Sequence, residues 1–263
     1  QVSLVSCADY EPQAVYDAVK RSIDLLGGIE AFIKPGSRVL LKPNLVRSMP
    51  PERAATTHPT VVAAVARLVI EAGAHPLIAD SPGGPYTPAT LRSAYRRTGM
   101  EAAAEASGAE LNYDTAATQV SNAEGIVLHR LDLINPLLEV DAVINLPKLK
   151  THNLTVLTMG VKNLFGVVPG ALKIGYHSKL VDRERFCEGL LDILQFVRPT
   201  LTVLDAIIGM EGEGPTGGDP RQIGAIVTST DVLAVDTLGA TLVGMEPDIV
   251  TTTRLAAARG LTT

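Results

Sequence analysis

The sequence predicts an α/β fold with a mostly parallel, Rossmann-like sheet, helices on both of its faces and a small antiparallel excursion. Short apolar runs alternate along the chain with longer stretches of helical period. The runs at 140–146, 201–208 and 222–228 lack polar alternation, which is typical of strands that helices cover on both faces. Repeated strand–helix order implies right-handed crossovers, and therefore parallel neighbours within one sheet.

The individual strands and helices are predicted from the same apolar runs and helical periodicity. Strands are predicted at 2–6, 38–41, 75–80, 109–114, 125–131, 140–146, 201–208 and 222–228. Helices are predicted at 15–26, at 60–72 and near 87–107, and the second of these has the clearest apolar face. The strands at 109–114 and 125–131 are more polar and form the expected antiparallel excursion. No linker or repeat divides the chain, so we expect a single α/β domain over residues 1–263.

Composition narrows the class of partner. The net charge is −5 without any basic block, which argues against nucleic acid as a partner. No apolar stretch reaches the roughly eighteen residues that a membrane span requires, so no membrane association is expected. Cys7 and Cys187 are the two cysteines, too few for the four thiolates of a usual iron–sulfur cluster, so none is expected within this chain. The sequence begins at Gln1, and we expect a cytoplasmic protein whose N-terminus has been trimmed or processed.

Polar and basic residues collect where the predicted strands end. In open parallel sheets, ligands bind outside the carboxyl ends of the strands. Five of the eight lysines lie in or just after these segments: Lys42, Lys148, Lys150, Lys162 and Lys173. Each lysine alone is as expected for an exposed loop, but the set favours a carboxylate or phosphate ligand. The predicted ligand-binding residues are Lys42, Asn44, His58, Ser81, Gly83, Lys148, Lys150, Asn163 and Gly214.

Two further segments each have two interpretations. Residues 56–60 open the helix at 60–72, with Pro59 in its first turn, and helix N-termini also bind anions. Capping accounts for the threonines there but not for His58. An orientation of this side chain towards the ligand site and one away from it are equally expected. The glycine-rich segment 209–219 is predicted to be a loop whose acidic residues either hold a divalent cation or solvate a mobile lid.

The stretch 146–177 carries the predicted catalytic residues His152, Lys162 and His177. A histidine can titrate or bind a metal, and a lysine amine can act as a nucleophile or bind an anion. His152 and Lys162 are ten positions apart and do not share a face of an ideal helix, so turns must bring them together. The alternative is two unrelated histidines on a loop rich in glycine and proline.

Six motifs give the sequence a family resemblance. They occur in the order KPNLV, TTHPTVV, ADSPGG, LPKLKTH, GVKNLFGVVPG and GEGPTGGDPR. Together they closely resemble the family called domain of unknown function 362, over essentially the whole chain. Many members of that family carry a ferredoxin-like iron–sulfur segment, which implies redox chemistry. This chain lacks any Cys-x-x-Cys run, so the resemblance implies a separate iron–sulfur electron-transfer partner.

A second resemblance is to the lactate racemase family. That family has an α/β enzyme with a nickel-pincer nucleotide tethered to a lysine, in a stretch that contains a histidine, that lysine and a metal-binding histidine. His152, Lys162 and His177 are similar in order and approximate spacing, which implies a metal-ligand role for His177. The implied cofactor is a nickel-pincer nucleotide or a divalent metal. An additional catalytic histidine region of the racemases has no clear counterpart here.

Three functions therefore remain as hypotheses. The first is an enzyme domain that binds a small anionic molecule at the strand ends, with redox chemistry supported by an iron–sulfur partner. The second is a metal-dependent or nickel-pincer-dependent, racemase-like enzyme. The third is a non-catalytic module that binds a metabolite or takes part in an assembly. Oligomer formation is compatible with all three, and the sequence does not identify the cofactor.

Overall fold

The computed structural model describes residues 1–261, apart from the side chains of Ile174, His177, Ser178 and Lys179. Its strands are β1 (Val2–Ser6), β2 (Arg38–Pro43), β3 (His75–Ile78), β4 (Glu110–Leu111), β5 (Ala117–Ser121), β6 (Arg130–Ile134), β7 (Ala142–Leu146), β8 (Lys148–His152), β9 (Val156–Thr158), β10 (Leu201–Glu211) and β11 (Asp219–Ser229). Its α-helices are α1 (Pro12–Asp24), α2 (Pro59–Glu71), α3 (Pro88–Arg97), α4 (Met100–Ser107), α5 (Asn135–Leu138), α6 (Gly160–Asn163), α7 (Gly170–Lys179), α8 (Arg183–Val197), α9 (Val232–Leu242) and α10 (Thr251–Ala258).

The main sheet is parallel at its centre and antiparallel at one side. Its strands run in the order β1-β11-β10-β7-β2-β3-β4. β10, β7, β2, β3 and β4 are parallel neighbours, whereas β11 pairs antiparallel with both β10 and β1. β8 pairs parallel with β10 and antiparallel with β9. The predicted mostly parallel sheet is therefore confirmed, and the carboxyl ends of its four central strands lie side by side.

Helices cover both faces of this sheet, as the strands without polar alternation predict. In β2, Val39 and Leu41 pack into an apolar cluster with α1, α2 and α4, where Val65 of α2 is fully buried. Leu40 points to the opposite face and packs into a second cluster, which includes Leu190 of α8. Successive residues of one strand thus enter two different cores, because side chains alternate across a strand. This explains why the three consecutive residues Val39, Leu40 and Leu41 of β2 are all apolar.

The small antiparallel sheet is confirmed, but the two segments predicted to form it match it only at residues 130–131. It is formed by β5 and β6. The predicted strand at 109–114 instead contributes β4, which extends the parallel sheet beside β3. Part of the predicted strand at 125–131 is a turn, because three consecutive backbone amides donate to the buried Asp192 carboxylate: those of Ile126, Val127 and Leu128. Those amides are then not available to a neighbouring strand.

The segment 209–219, which was predicted to be a loop, is a loop at 212–218 and strand at its two ends. It closes a long hairpin, in which Glu211 of β10 pairs with Asp219 of β11. The polar segment after β7, which was expected to end that strand, continues as a further strand, β8, whose Lys148 and Lys150 pair with β10. Glycine density thus indicated the hairpin loop correctly, whereas the backbone pairing available from β10 makes residues 148–152 extended.

The predicted helix near 87–107 is two helices. Gly99 separates α3 from α4 with a φ of 78°, a left-handed conformation that favours glycine. The same glycine packs closely against Pro59 at the start of α2, where a Cβ would meet the proline ring. Among the described residues, no helix has the length and apolar content needed to cross a bilayer.

Candidate functional site

A cleft of about 410 Å³ opens where β2 and β3 end and the segment around 160–173 folds over them. Seven of the residues predicted for the site line it: Lys42, Asn44, Ser81, Gly83, His152, Lys162 and Asn163. The lining also includes charged and aromatic side chains that the sequence did not single out as site residues: Arg47, Asp80, Phe165 and Lys173. The strand ends and the 146–177 stretch therefore share one cleft.

An ion pair between Lys42 and Asp80 forms the floor of the cleft. The two side chains are almost completely buried, and Lys42 Nζ lies 2.7 Å from Asp80 Oδ1. The same amine donates to the Pro43 carbonyl oxygen at 2.8 Å and to Asn163 Oδ1 at 3.3 Å. Asp80 Oδ2 accepts from the Leu45 amide at 2.9 Å. Burial lowers the pKa of Lys42, and the Asp80 carboxylate opposes this change.

The side chain of Asn163 connects the segment 160–163 to the strand ends. Its Oδ1 accepts from Asn44 Nδ2 at 3.0 Å, in addition to Lys42. Its Nδ2 donates to the Lys42 carbonyl oxygen at 3.1 Å and to Asn145 Oδ1 at 2.8 Å. Four hydrogen bonds hold this buried amide, so the backbone that carries Lys162 is fixed on the C-terminal side.

Asp236 of α9 fixes the same segment on its N-terminal side. Its carboxylate accepts from the backbone amides of Gly160 at 2.6 Å and Val161 at 3.1 Å. Burial raises the pKa of Asp236 to about 7, although the two amide donors act in the opposite direction. The sequence reasoning missed this residue. A single charged residue within an otherwise uncharged helix was the signal that could have indicated it.

Lys162 points into the cleft without a hydrogen-bond acceptor. No described residue accepts from its amine or lies within ion-pair distance of it, and the side chain is only partly buried. The amine instead lies 4.9 Å from the centre of the Phe165 ring and 5.9 Å from that of Phe186. Burial and, to a smaller extent, the nearby Lys42 ammonium lower the pKa of Lys162 to about 8.

Lys173 of α7 is a second basic residue at the cleft. Its amine donates to the carbonyl oxygen of Ser81, and Ser81 Oγ accepts from the Gly170 amide at 2.6 Å. Burial lowers the pKa of Lys173 to about 7, with Asp80 raising it and two neighbouring lysines lowering it. These contacts attach the start of α7 to the loop after β3. The clustering of lysines in the sequence included Lys173 without assigning it to the site.

His152 of β8 also lines the cleft. Its Nδ1 accepts from the Leu154 amide at 3.0 Å, so the neutral ring carries its proton on Nε2. The backbone of His177 lies in α7, but its side chain is outside the described part of the chain. Of the three predicted catalytic residues, the structure thus brings His152 and Lys162 to one cleft. Among the described residues, no cluster of three His, Cys, Asp or Glu side chains has metal-binding spacing.

Comparisons with known proteins identify the family. A family model described as domain of unknown function (DUF362) matches residues 39–241. The chain belongs to this family. A curated protein of Synechocystis sp., named as a thylakoid-associated protein, is 37% identical over 252 residues, which are 95% of this chain and 77% of that protein.

A solved structure has a similar fold. The lactate racemase apoprotein from Thermoanaerobacterium thermosaccharolyticum superposes with a TM-score of 0.55 at 13% identity. The match covers 92% of this chain, and the chain spans only 56% of the length of that protein. At this identity the likeness concerns the fold alone.

Two predicted ligand-binding residues of this DUF362 chain, Lys148 and His58, lie outside the cleft in a cluster around the buried Asp205. Asp205 accepts from Lys148 Nζ at 2.8 Å, from the Tyr10 hydroxyl at 2.8 Å and from the His58 amide at 2.9 Å. The Tyr10 and His58 rings stack with centres 3.6 Å apart. The imidazole also accepts from the Thr60 amide and caps α2. Burial lowers the pKa of His58 to about 4, so the ring is neutral at physiological pH.

Lys150 and Gly214 also lie behind or beside the cleft of this DUF362 chain. The buried Lys150 amine donates to Asn44 Oδ1 at 3.0 Å and to the Ala55 carbonyl oxygen. Burial lowers its pKa strongly, and other lysine ammonium groups add to the effect. Gly214 packs on the Thr151 backbone, where a Cβ would clash. Both residues support their neighbours and do not themselves line the cleft.

Substitution of Gly166 tests the ion pair at the floor of the cleft. A Cβ on this residue would fall directly on the Asp80 carboxylate and the Lys42 amine. We expect Gly166→Ala to open the ion pair and to lower the free energy of unfolding by roughly 1–3 kcal/mol, measured by urea denaturation.

The matched control is Gly175→Ala in α7. No described atom lies within 4 Å of a Cβ at that position, and alanine is favoured over glycine in helices. We expect this variant to be as stable as the parent protein or slightly more stable. Equal losses of stability in the two variants would show that the ion pair does not depend on the absence of a side chain at Gly166.

Proposed function

We propose that this chain is an enzyme domain that binds a small carboxylate- or phosphate-bearing molecule in the cleft. The first support for this proposal is the charge of the cleft. Among the described residues that line the cleft, one carboxylate, that of Asp80, is set against four basic side chains: Lys42, Arg47, Lys162 and Lys173. Asp80 is already paired with Lys42. The remaining cationic groups favour an anion by charge attraction and by donating hydrogen bonds.

The observation that carries the proposal is the open amine of Lys162. Within the described part of the chain it has neither an acceptor nor a carboxylate partner, although it is largely surrounded by protein. A charged group without a partner is unfavourable in such a place. An anionic ligand in the cleft would provide the missing acceptor, and Lys173 could bind a second oxygen of the same group.

His152 suits the role of general acid or base in this proposal. It lines the same cleft as Lys162, and its neutral ring holds a proton on Nε2. Proton transfer by a positioned histidine is worth ~10²–10⁴-fold in rate. The family resemblance adds a redox form of the proposal, in which a separate iron–sulfur protein supplies electrons to the bound molecule.

The likeness in fold to the lactate racemase apoprotein supports a second candidate, a metal-dependent or nickel-pincer-dependent enzyme. His152 and Lys162 fit such a group, because both line the cleft and the amine has no competing acceptor among the described residues. They would hold it, and the bound group would supply Lewis-acid or redox chemistry. A cleft that binds anions without any turnover would instead indicate a non-catalytic binding module.

Removal of the Lys162 amine tests the proposal. We expect Lys162→Ala to weaken binding of lactate and inorganic phosphate by roughly ten- to hundredfold, which corresponds to one charge-assisted hydrogen bond of about 1.5–3 kcal/mol. Isothermal titration calorimetry measures the affinity. The melting temperature should be unchanged or slightly higher, since the amine has no described protein acceptor to lose and an ammonium without a partner is unfavourable there.

Lys34→Ala is the matched control for charge. Lys34 is exposed and precedes β2, at the end of the sheet opposite to the cleft. This variant removes the same charge from the protein and should leave both affinities unchanged. If the two variants bind lactate equally well, Lys162 does not bind the anion.

The affinity for lactate should also fall as the pH rises. The pKa values of Lys173 and Lys162 are lowered to about 7 and about 8, so both amines lose their charge as the pH passes through these values. Lactate keeps one negative charge throughout this range, whereas the charge of inorganic phosphate itself changes with pH. Calorimetry between about pH 6 and about pH 9 should show the tightest binding at the acidic end.

Lys173→Arg separates the two contributions to this pH dependence. Arginine keeps its charge across the range, so the decrease near pH 7 should disappear and the decrease near pH 8 should remain. An affinity for lactate that is constant or rises with pH would contradict a role for these amines in binding.

A further inference from the structure

The three amines at the cleft differ in how many acceptors they have. Lys42 uses its three N–H groups on Asp80, Pro43 and Asn163. Lys173 donates to the carbonyl oxygen of Ser81. Lys162 has no acceptor among the described residues, so no contact of this kind restrains it in the cleft. Of the three, Lys162 is the amine most available for a chemical step.

The surroundings of Lys162 also favour its neutral, nucleophilic form. The amine is placed among apolar atoms, 4.9 Å from the centre of the Phe165 ring and 5.9 Å from that of Phe186. Burial and, to a smaller extent, the nearby Lys42 ammonium lower the pKa of Lys162 to about 8, although Cys187 and Asp80 act in the opposite direction. Roughly a tenth of the molecules then carry a free lone pair at neutral pH, far more than for an exposed lysine. Desolvation and an adjacent cation are the usual means by which a lysine becomes a nucleophile.

We propose that Lys162 forms an imine with the carbonyl carbon of a small oxo-acid that binds in the cleft. The proposal rests on the proposed function, because the acid group would occupy the anion site. The Lys162 lone pair attacks the carbonyl carbon and a C–N bond forms. The carbonyl oxygen takes up the two protons that the amine loses, the C–O bond breaks, water leaves, and a C=N double bond remains. No oxidant or reductant is consumed.

The other side chains of the cleft fit the two ends of such a molecule. Lys173 and Arg47 can bind its carboxylate, and His152 can move the protons that accompany loss of water. An iminium group withdraws electrons from the adjacent carbon. The substrate class is therefore an oxo-acid in which a bond to that carbon is broken or formed.

Reductive trapping tests this proposal. The full chain is incubated separately with glyoxylate, pyruvate and 2-oxoglutarate in the presence of sodium cyanoborohydride, and its intact mass is measured. With at least one of these acids we expect one reduced adduct per chain. Peptide mapping should place it on Lys162, in roughly tenfold excess or more over the exposed Lys34, because far more of the Lys162 amine is neutral.

The controls separate specific from general labelling. Lys162→Arg should abolish the adduct, whereas Lys34→Arg should retain it, and lactate should give none because it lacks a carbonyl group. Thermal melts check that both variants are folded. Peptide mapping of the parent protein identifies the labelled lysine independently of any variant.

Two outcomes would overturn the proposal: no Lys162 adduct with any of the three acids, or equal labelling of Lys162 and Lys34. The proposed function can fail separately. If Lys162→Ala weakens lactate binding and no adduct forms, the anion site stands and the imine is wrong. If the adduct forms while lactate affinity is the same in Lys162→Ala, the amine is a nucleophile but does not bind the anion.

Discussion

The buried ion pair between Lys42 and Asp80 is the interaction on which the cleft depends. It joins the ends of β2 and β3, and through Asn163 it also holds the segment that carries Lys162. Gly166 lies directly against the pair, so the chain can cover it only without a side chain at that position. Removal of one partner from a buried pair typically costs about 3–5 kcal/mol, because the other charge is left unpaired. The geometry of the cleft and the stability of the fold are therefore coupled at this point.

The sequence predicted the parts of the fold that depend on local patterns. Apolar periodicity is set by which face of an element is buried, and it correctly indicated α2 and the central strands β2, β7 and β10. Strand-end position then indicated where a ligand could bind, and seven predicted residues line the cleft. The turn within 125–129 and the strand β8 depend instead on distant partners, namely the Asp192 carboxylate and the neighbouring strand β10. No local pattern carries that information.

The lysines show why the site could be only partly predicted. In the sequence, Lys42, Lys148, Lys150 and Lys162 look alike, since each belongs to a strand end or to the segment that follows. The structure separates them by their acceptors, which lie far away in the chain: Asp80 for Lys42, Asp205 for Lys148, and Asn44 with Ala55 for Lys150. Three of the four amines thus have protein acceptors, and two of these three, Lys148 and Lys150, do not line the cleft. Which amine remains for a ligand is decided by tertiary contacts.

Hydrogen bonds of the neighbouring residues hold the backbone of Lys162 in place, and its own amine does not contribute to them. Asp236 binds the two amides before it, and Asn163 after it makes four hydrogen bonds. A side chain can therefore be held in place while its reactive atom has no acceptor among the described residues. Such an arrangement reduces stability, because a partly buried ammonium lacks a partner, and natural proteins accept this cost mainly at functional sites. The rigid support and the open amine together are what a binding or catalytic role for Lys162 requires.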